Sequence, residues 1–241
     1  MKRKEGKMGK KEKLYEGKAK IIYKTDESGV VIQHFKDDAT AFDGVKKDTV
    51  LGKGVANNTI STSLFKLLEK NGIKSHFIKK ISDNEMMVKS VDIVQVEVVV
   101  RNISTGSLCR RYGVDEGIRY KKPIVEFYYK DDELHDPLMN KDHIIAMDLA
   151  TDEQIEYMRS EALKINSILR EFFNSININL VDFKLEFGKI NNEILLADEI
   201  SPDTCRFWEK GTNKKLDKDR FRYDLGDVEK TYKEMMKRIG G

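Results

Sequence analysis

The chain is short of the residues that staple or punctuate a small fold. Its 241 residues include two cysteines, three prolines, one tryptophan and four histidines. Cys109 and Cys205 stand far apart with no CxxC spacing, which excludes a disulfide framework and a thiolate zinc site. Pro123, Pro137 and Pro202 are too scattered for a proline-rich linker, and there is no internal repeat or low-complexity stretch. No apolar run approaches the ~20 residues needed to span a bilayer, and no signal-peptide segment follows the basic start. These absences predict a cytoplasmic protein with no membrane partner.

A strong excess of one charge is also missing. Lys and Arg number 44 against 41 Asp and Glu, a net +3. Residues 1–13 hold seven Lys/Arg and two Glu, a local +5 that leaves the remainder near −2. Such a body has no bulk electrostatic reason to bind nucleic acid. Residues 1–12 read as a basic, mobile leader. An RNA-binding module working through that leader is the alternative from another functional class.

What is present suits a globular enzyme. Apolar residues make up 39% of the chain, enough to offset ordering entropy. Lys13 to Tyr23 reads as a strand, paired through the turn Asp26-Glu27-Ser28-Gly29 with Val30 to Phe35. Ile60, Leu64, Leu67 and Leu68 recur at helical spacing over 55–71, with Gly72 at the C-terminal cap. Val91 to Ile103 and Ile124 to Tyr129 are strand candidates. Thr151 and Gln154 form a capping box for a helix striped with Ile155, Met158, Ala162, Ile165, Leu169 and Phe172. Leu180 to Ile190 and Glu193 to Ile200 form a second hairpin about Asn191-Asn192. A final helix carries Phe221, Leu225, Val228, Tyr232, Met235 and Ile239 on one face. Strands early and a mixture later, without regular βαβ alternation, predict an α+β chain in two lobes.

Four stretches hold polar residues that packing does not require. In Tyr15-Glu16-Gly17-Lys18-Ala19-Lys20, a small residue between two lysines lets backbone amides and ammonium groups approach a phosphate. A solvated lysine face is the alternative. In Val100-Arg101-Asn102-Ile103-Ser104-Thr105-Gly106-Ser107, a buried-type strand runs into an arginine and a hydroxyl-rich turn, an anion site or simply a cap. In Asp182-Phe183-Lys184-Leu185-Glu186-Phe187, alternation puts carboxylate, ammonium and carboxylate on one face and the apolar residues on the other. The hairpin partner brings Asp198 and Glu199 alongside. Converging carboxylates suit Mg²⁺ on a nucleotide, and a cross-strand ion-pair ladder is the other reading. In Ser201-Pro202-Asp203-Thr204-Cys205-Arg206, an arginine follows closely, placed for a second anion or a turn cap. His34, His76 and His143 read as packing or surface residues. No GxSxG elbow is present, and neither cysteine has an evident base partner.

These stretches, in this order and spacing, resemble the SAICAR synthetase family from about Lys13 to the C-terminus. The resemblance rests on Val96 to Ser107 and on Leu180 to Gly188. Leu14 to Lys20, Ala41-Phe42-Asp43 and Leu196 to Asp203 support it. Gln95 stands where many members have proline. The resemblance implies an ATP-binding, kinase/ATP-grasp-like α+β fold with a β-rich N-terminal lobe over 13–92 and a larger catalytic lobe over 93–241. It implies a homodimer with small-molecule substrates: ATP, a carboxylated aminoimidazole ribonucleotide (CAIR) and L-aspartate. Lys18, Ala19 and Lys20 would hold ATP phosphates, and Glu186 and Asp198 would bind Mg²⁺ beside Lys184. Arg101, Ser107 and Arg206 would take the CAIR 5′-phosphate and Asp43 its ribose. Asp136, Lys218 and Arg222 would lie near aspartate. A kinase-like phosphotransferase is the alternative enzyme, and it has no need of a second anion site.

Overall fold

The computed structural model describes residues 10–41 and 45–240. The chain runs β1 (Lys13–Glu16), β2 (Lys20–Lys24), β3 (Val30–Phe35), β4 (Asp38–Ala41), β5 (Lys46–Thr49), α1 (Lys53–Lys70), β6 (Phe77–Ser82) and β7 (Glu85–Lys89). It continues through β8 (Asp92–Ile103), α2 (Gly106–Tyr112), β9 (Arg119–Tyr129), β10 (Leu138–Met139), α3 (Lys141–Ala146), α4 (Asp152–Ser175) and β11 (Ile178–Ile190). β12 (Glu193–Ala197), β13 (Cys205–Glu209), α5 (Asp219–Arg222) and α6 (Val228–Gly240) complete it.

Among the described residues, the strands form an antiparallel sheet in the order β1-β2-β3-β7-β6 and a second in the order β10-β9-β8-β11-β12. β13 pairs with the first half of β11, and β4 and β5 form a separate ribbon. α4 covers β8 and β11, while α1 packs on β3, β6 and β7. α6 returns from the end of the chain to lie along α1. The sheets share one continuous core, in which Phe35, Leu64, Val98, Met158, Phe183 and Met235 are all buried. Backbone bonds tie the segment leading into β6 to β12, His76 N–H to Leu196 O at 2.8 Å and Leu196 N–H to Lys74 O at 3.0 Å. This α+β, two-lobed architecture is the expected one.

Local chemistry explains the helix ends. The α4 capping box forms as expected, with Gln154 N–H donating to Thr151 Oγ1 at 3.3 Å and Thr151 N–H to Gln154 Oε1 at 3.2 Å. Phe173, not Phe172, completes the fully buried stripe, and Phe172 packs at its margin. At the start of α1, Asp37 accepts from Gly52 N–H at 3.1 Å and Gly54 N–H at 2.8 Å, supplying partners that a helix N-terminus lacks. A Cβ on Gly54 would stand 2.5 Å from Phe35 O, so glycine there permits the helix to abut β3.

Two expected elements are each divided. Lys13 to Tyr23 is itself a hairpin, β1 and β2, turning at Gly17-Lys18-Ala19. Of the expected leader 1–12, residues 10–12 are described, and they extend this hairpin. Lys11 N–H donates to Lys24 O at 3.0 Å, Lys24 N–H donates to Glu12 O at 2.9 Å, and Lys10 pairs with Glu85. The final helix is two, α5 and α6, because Asp224, Gly226 and Asp227 take left-handed backbone that no helix continues. Leu225 consequently points to solvent, 44% exposed.

Candidate active site

β8, β11 and β13 lie side by side, and their registers build the site. Asp182 faces Arg101 on one side and Arg206 on the other, and Glu186 faces Glu97 and Ala197. Phe183, Leu185 and Phe187 fill the core, so the opposite pleat carries Asp182, Lys184 and Glu186. Asp198 follows β12 at φ 62, a turn that brings its carboxylate beside Glu186 at the head of a cleft.

That cleft, of about 660 Å³, lies between the lobes. Ile22, Val31, Val88 and Val91 make its apolar part, and Lys20, Lys184, Glu186 and Asp198 its charged end. Lys18 and Ala19 from the β1–β2 turn line it too. A slot with an apolar wall and an ionic end suits a nucleotide's base and phosphates. At the ionic end, Lys184 Nζ donates to Glu97 Oε1 at 2.5 Å and Glu186 Oε1 at 3.0 Å, and Lys130 Nζ donates to Glu186 at 3.2 Å. Lys20 Nζ is bonded to Asp198 and lies 2.9 Å from Glu199 Oε1. Burial drives the Glu186 carboxyl up, but Lys184, Lys130 and Lys20 overcome it and bring it down to about 2. Against burial, the carboxylates of Glu186, Glu97 and Asp198 hold Lys184 well above the ordinary lysine range. Asp198 is pushed up by burial and by its neighbour Glu186.

A second cavity, of about 320 Å³, opens directly beside the first. Arg101, Asp182, Arg206 and Arg222 line it, and both cavities share Lys18, Glu97, Asp136, Lys184, Asp203, Thr204 and Lys218. Arg101 Nε donates to Glu126 at 2.6 Å, Nη1 to Asp182 at 2.7 Å, and Nη2 to Ser107 at 3.1 Å and Tyr128 at 3.0 Å. Arg206 Nη1 donates to the same Asp182 oxygen at 2.9 Å. The two arginines expected to act together are thus cross-linked by one carboxylate. Ser107 stands against the Arg101 guanidinium instead of in the cavity wall. Asp136 lines both cavities from left-handed backbone and accepts from Asp131 N–H at 3.0 Å. Lys218 sits where the cavities meet. Burial lowers its affinity for a proton, Asp203 opposes this, and Arg222 and Lys53 reinforce it, leaving Lys218 below its ordinary value. Asp43 lies outside the described residues.

Several contributors escaped sequence reasoning. Lys53 is completely buried at the first turn of α1, and its Nζ donates to Asp203 Oδ2 at 2.7 Å. Tyr232 OH, from α6, donates to Asp203 Oδ1 at 2.6 Å. Glu97 did carry a signal: it alternates with Val96 and Val98, on the same pleat as Arg101. Lys130 carried none. The histidines have structural work: His34 contacts Glu85 at 3.0 Å, His143 completes the α3 capping box, and His76 packs on Phe65.

The fold and site define a two-lobed enzyme that sets a nucleotide-sized cleft against a guanidinium-lined anion pocket. Residues 13–239 match the family model for SAICAR synthetase. Phosphoribosylaminoimidazole-succinocarboxamide synthase from Thermoanaerobacter sp. (strain X514) is 58% identical over 234 residues, covering 97% of this chain and all of that protein. The crystal structure of the Ehrlichia chaffeensis synthase superposes with a TM-score of 0.93 at 48% identity, over 95% of this chain and 98% of that one. A SAICAR synthetase solved in complex with ADP gives 0.90 at 51% identity, over 93% and 96%. The chain belongs to the SAICAR synthetase family.

Proposed function

We propose that this chain joins L-aspartate to the carboxylate of CAIR at the expense of ATP, releasing SAICAR, ADP and phosphate in purine biosynthesis. The observation that carries the reading is the junction of the two cavities. A phosphotransferase of kinase type needs the cleft alone. Three arginines beside a shared wall serve a second, polyanionic substrate whose reacting group must meet the terminal phosphate.

A carboxylate is a poor electrophile. In this reading a carboxylate oxygen of CAIR takes the terminal phosphoryl group of ATP, and ADP leaves with the bridging electron pair. The aspartate amine then attacks the carbonyl carbon of the acyl phosphate, the C–O bond breaks, and phosphate and a proton depart. Charge neutralisation and positioning dominate such a reaction. Lys18, Ala19 and Lys20 border the phosphates, and Lys184, held protonated, faces the transferred group. Arg101 and Arg206 serve the 5′-phosphate with Ser107 bonded behind the Arg101 fork, Asp43 serves the ribose, and Asp136, Lys218 and Arg222 the aspartate.

Mg²⁺ fits the donor set. Among the described residues no three His, Cys, Asp or Glu side chains converge as a metal cage, whereas Glu186 and Asp198 form an adjacent pair. Magnesium is bound on nucleotides through one or two carboxylates with phosphate and water completing the shell. Glu186 and Asp198 would hold it, and it would neutralise charge on the phosphates. The same family reading makes the protein a cytoplasmic homodimer. The apolar groove of about 510 Å³ around Tyr112, Ile124 and Leu138 supports a subunit contact.

The test is product formation with ATP, CAIR and aspartate, omitting each in turn. SAICAR is expected only with all three. Phosphate released at full rate from ATP and CAIR without aspartate, with no SAICAR when it is added, would overturn the proposal.

A further inference from the structure

Arg206 and Arg222 reach the anion cavity from different elements, β13 and α5, and one carboxylate lies between them. Asp219 Oδ2 accepts from Arg206 Nε at 2.9 Å, and Oδ1 accepts from Arg222 Nη1 at 2.7 Å. Each oxygen therefore holds a different guanidinium. Asp219 is 1% exposed and takes no part in the cavity wall, so it acts on a ligand only through its arginines. Burial works against its charge, but Arg206 and Arg222 outweigh that and keep the carboxyl below its ordinary range. Like-charged forks that share a cavity thus have a permanent counter-ion.

The carboxylate is itself held in register with the arginine it serves. Asp217 Oδ2 accepts from Phe207 N–H at 2.7 Å, and its Oδ1 accepts from Asp219 N–H at 2.8 Å. Phe207 follows Arg206 on β13, so the α5 backbone is tied to the strand one residue from the guanidinium it positions. On its other edge Arg206 donates to Asp182, and its face rests on Gly106, where a Cβ would come within 2.9 Å of Nη2. Among the described residues these contacts use two of the five Arg206 donors and one of those of Arg222.

We propose that Asp219 is a positioning residue for the ligation, setting the Arg206 fork for the ribonucleotide phosphate and the Arg222 fork for an aspartate carboxylate. One buried carboxylate then organises both anionic subsites. Without it, each arginine regains rotamer freedom that its ligand must remove again on binding. The inference rests on the synthetase reading above.

The experiment is Asp219→Asn in the full-length protein, with initial rates measured against each substrate. Asparagine keeps the size but offers one acceptor oxygen, and it turns an NH₂ group toward a guanidinium that can only donate. The Michaelis constants for CAIR and aspartate should each rise about tenfold, while that for ATP stays within about twofold. A general structural defect would instead lower kcat and shift all three constants together, and that pattern overturns the inference, as does wild-type behaviour. Should Asp219→Asn not fold, Asp219→Glu keeps the charge but displaces it by a methylene. It should raise the CAIR and aspartate constants about threefold or more, and unchanged constants overturn the inference. The underlying reading is judged separately: wild-type protein that makes no SAICAR defeats the synthetase assignment, whatever the variants do.

Discussion

Replacing Arg101 with lysine tests the anion pocket most directly, because the cost can be worked from its bonds. Arg101 is 3% exposed and donates to Glu126, Asp182, Ser107 and Tyr128. An ammonium places all its donors on one nitrogen and cannot serve the separate edges that a guanidinium spans. One or two of these bonds are lost, each charge-assisted by the guanidinium and worth roughly 1.5–3 kcal/mol. Neither carboxylate is orphaned, since Asp182 keeps Arg206 at 2.9 Å and Glu126 keeps Arg111 at 2.8 Å. The full penalty of a stranded buried charge therefore does not apply. Arg101→Lys should cost about 3 kcal/mol, a fall of roughly 6–12 °C in the calorimetric midpoint for a chain this size. If half of that loss falls on the bound phosphate, the Michaelis constant for CAIR rises about tenfold while that for ATP barely moves. Equal rises for both substrates, or an unshifted midpoint, refute the reasoning.

Three further outcomes are expected. Glu186→Gln and Asp198→Asn should each lower turnover at least about a hundredfold at saturating ATP and Mg²⁺, and near-normal rates in both would remove the ion site. Glu186 also sets a pH dependence. Its carboxyl falls from an ordinary 4.5 to about 2, so the ionised form favours folding. That contribution, about 3 kcal/mol, is complete above pH 4.5 and is lost as pH falls through 2. Denaturant titrations from pH 7 to pH 2 should therefore show a shallower acid loss for Glu186→Gln than for wild type, and parallel curves would contradict the assigned partners. Lys53→Met removes the cation from a buried pair whose carboxylate stays buried, and should cost about 3 kcal/mol. A loss below about 1 kcal/mol in urea unfolding would show that Tyr232 and Lys218 suffice for Asp203.

The parts that the sequence alone made legible are short in range. The alternation of Asp182, Lys184 and Glu186 with Phe183, Leu185 and Phe187 follows from a two-residue repeat, and the structure keeps it. The Thr151–Gln154 cap and the Gly72 stop are likewise set within one turn of helix. Periodicity misled where a local break overrode it. Phe221, Leu225 and Val228 are spaced as on one helix, but left-handed residues at 224, 226 and 227 divide it and turn Leu225 outward. Lys53 had no such marker, because lysine at a helix start ordinarily faces water. Only its meeting with Asp203, 150 positions later, accounts for its burial.

By itself, then, the sequence determined which side chains share a face, where α4 begins and α1 stops, and to which family the chain belongs. Which faces meet was decided only in three dimensions. Arg101 and Asp182 are 81 positions apart, and β8, β11 and β13 must pair in one register before a single carboxylate can hold two arginines. A slip of one residue would turn Asp182, Lys184 and Glu186 into the core and their phenylalanines into the cleft. That register is enforced by the core on the far side of the sheet, which no local pattern encodes.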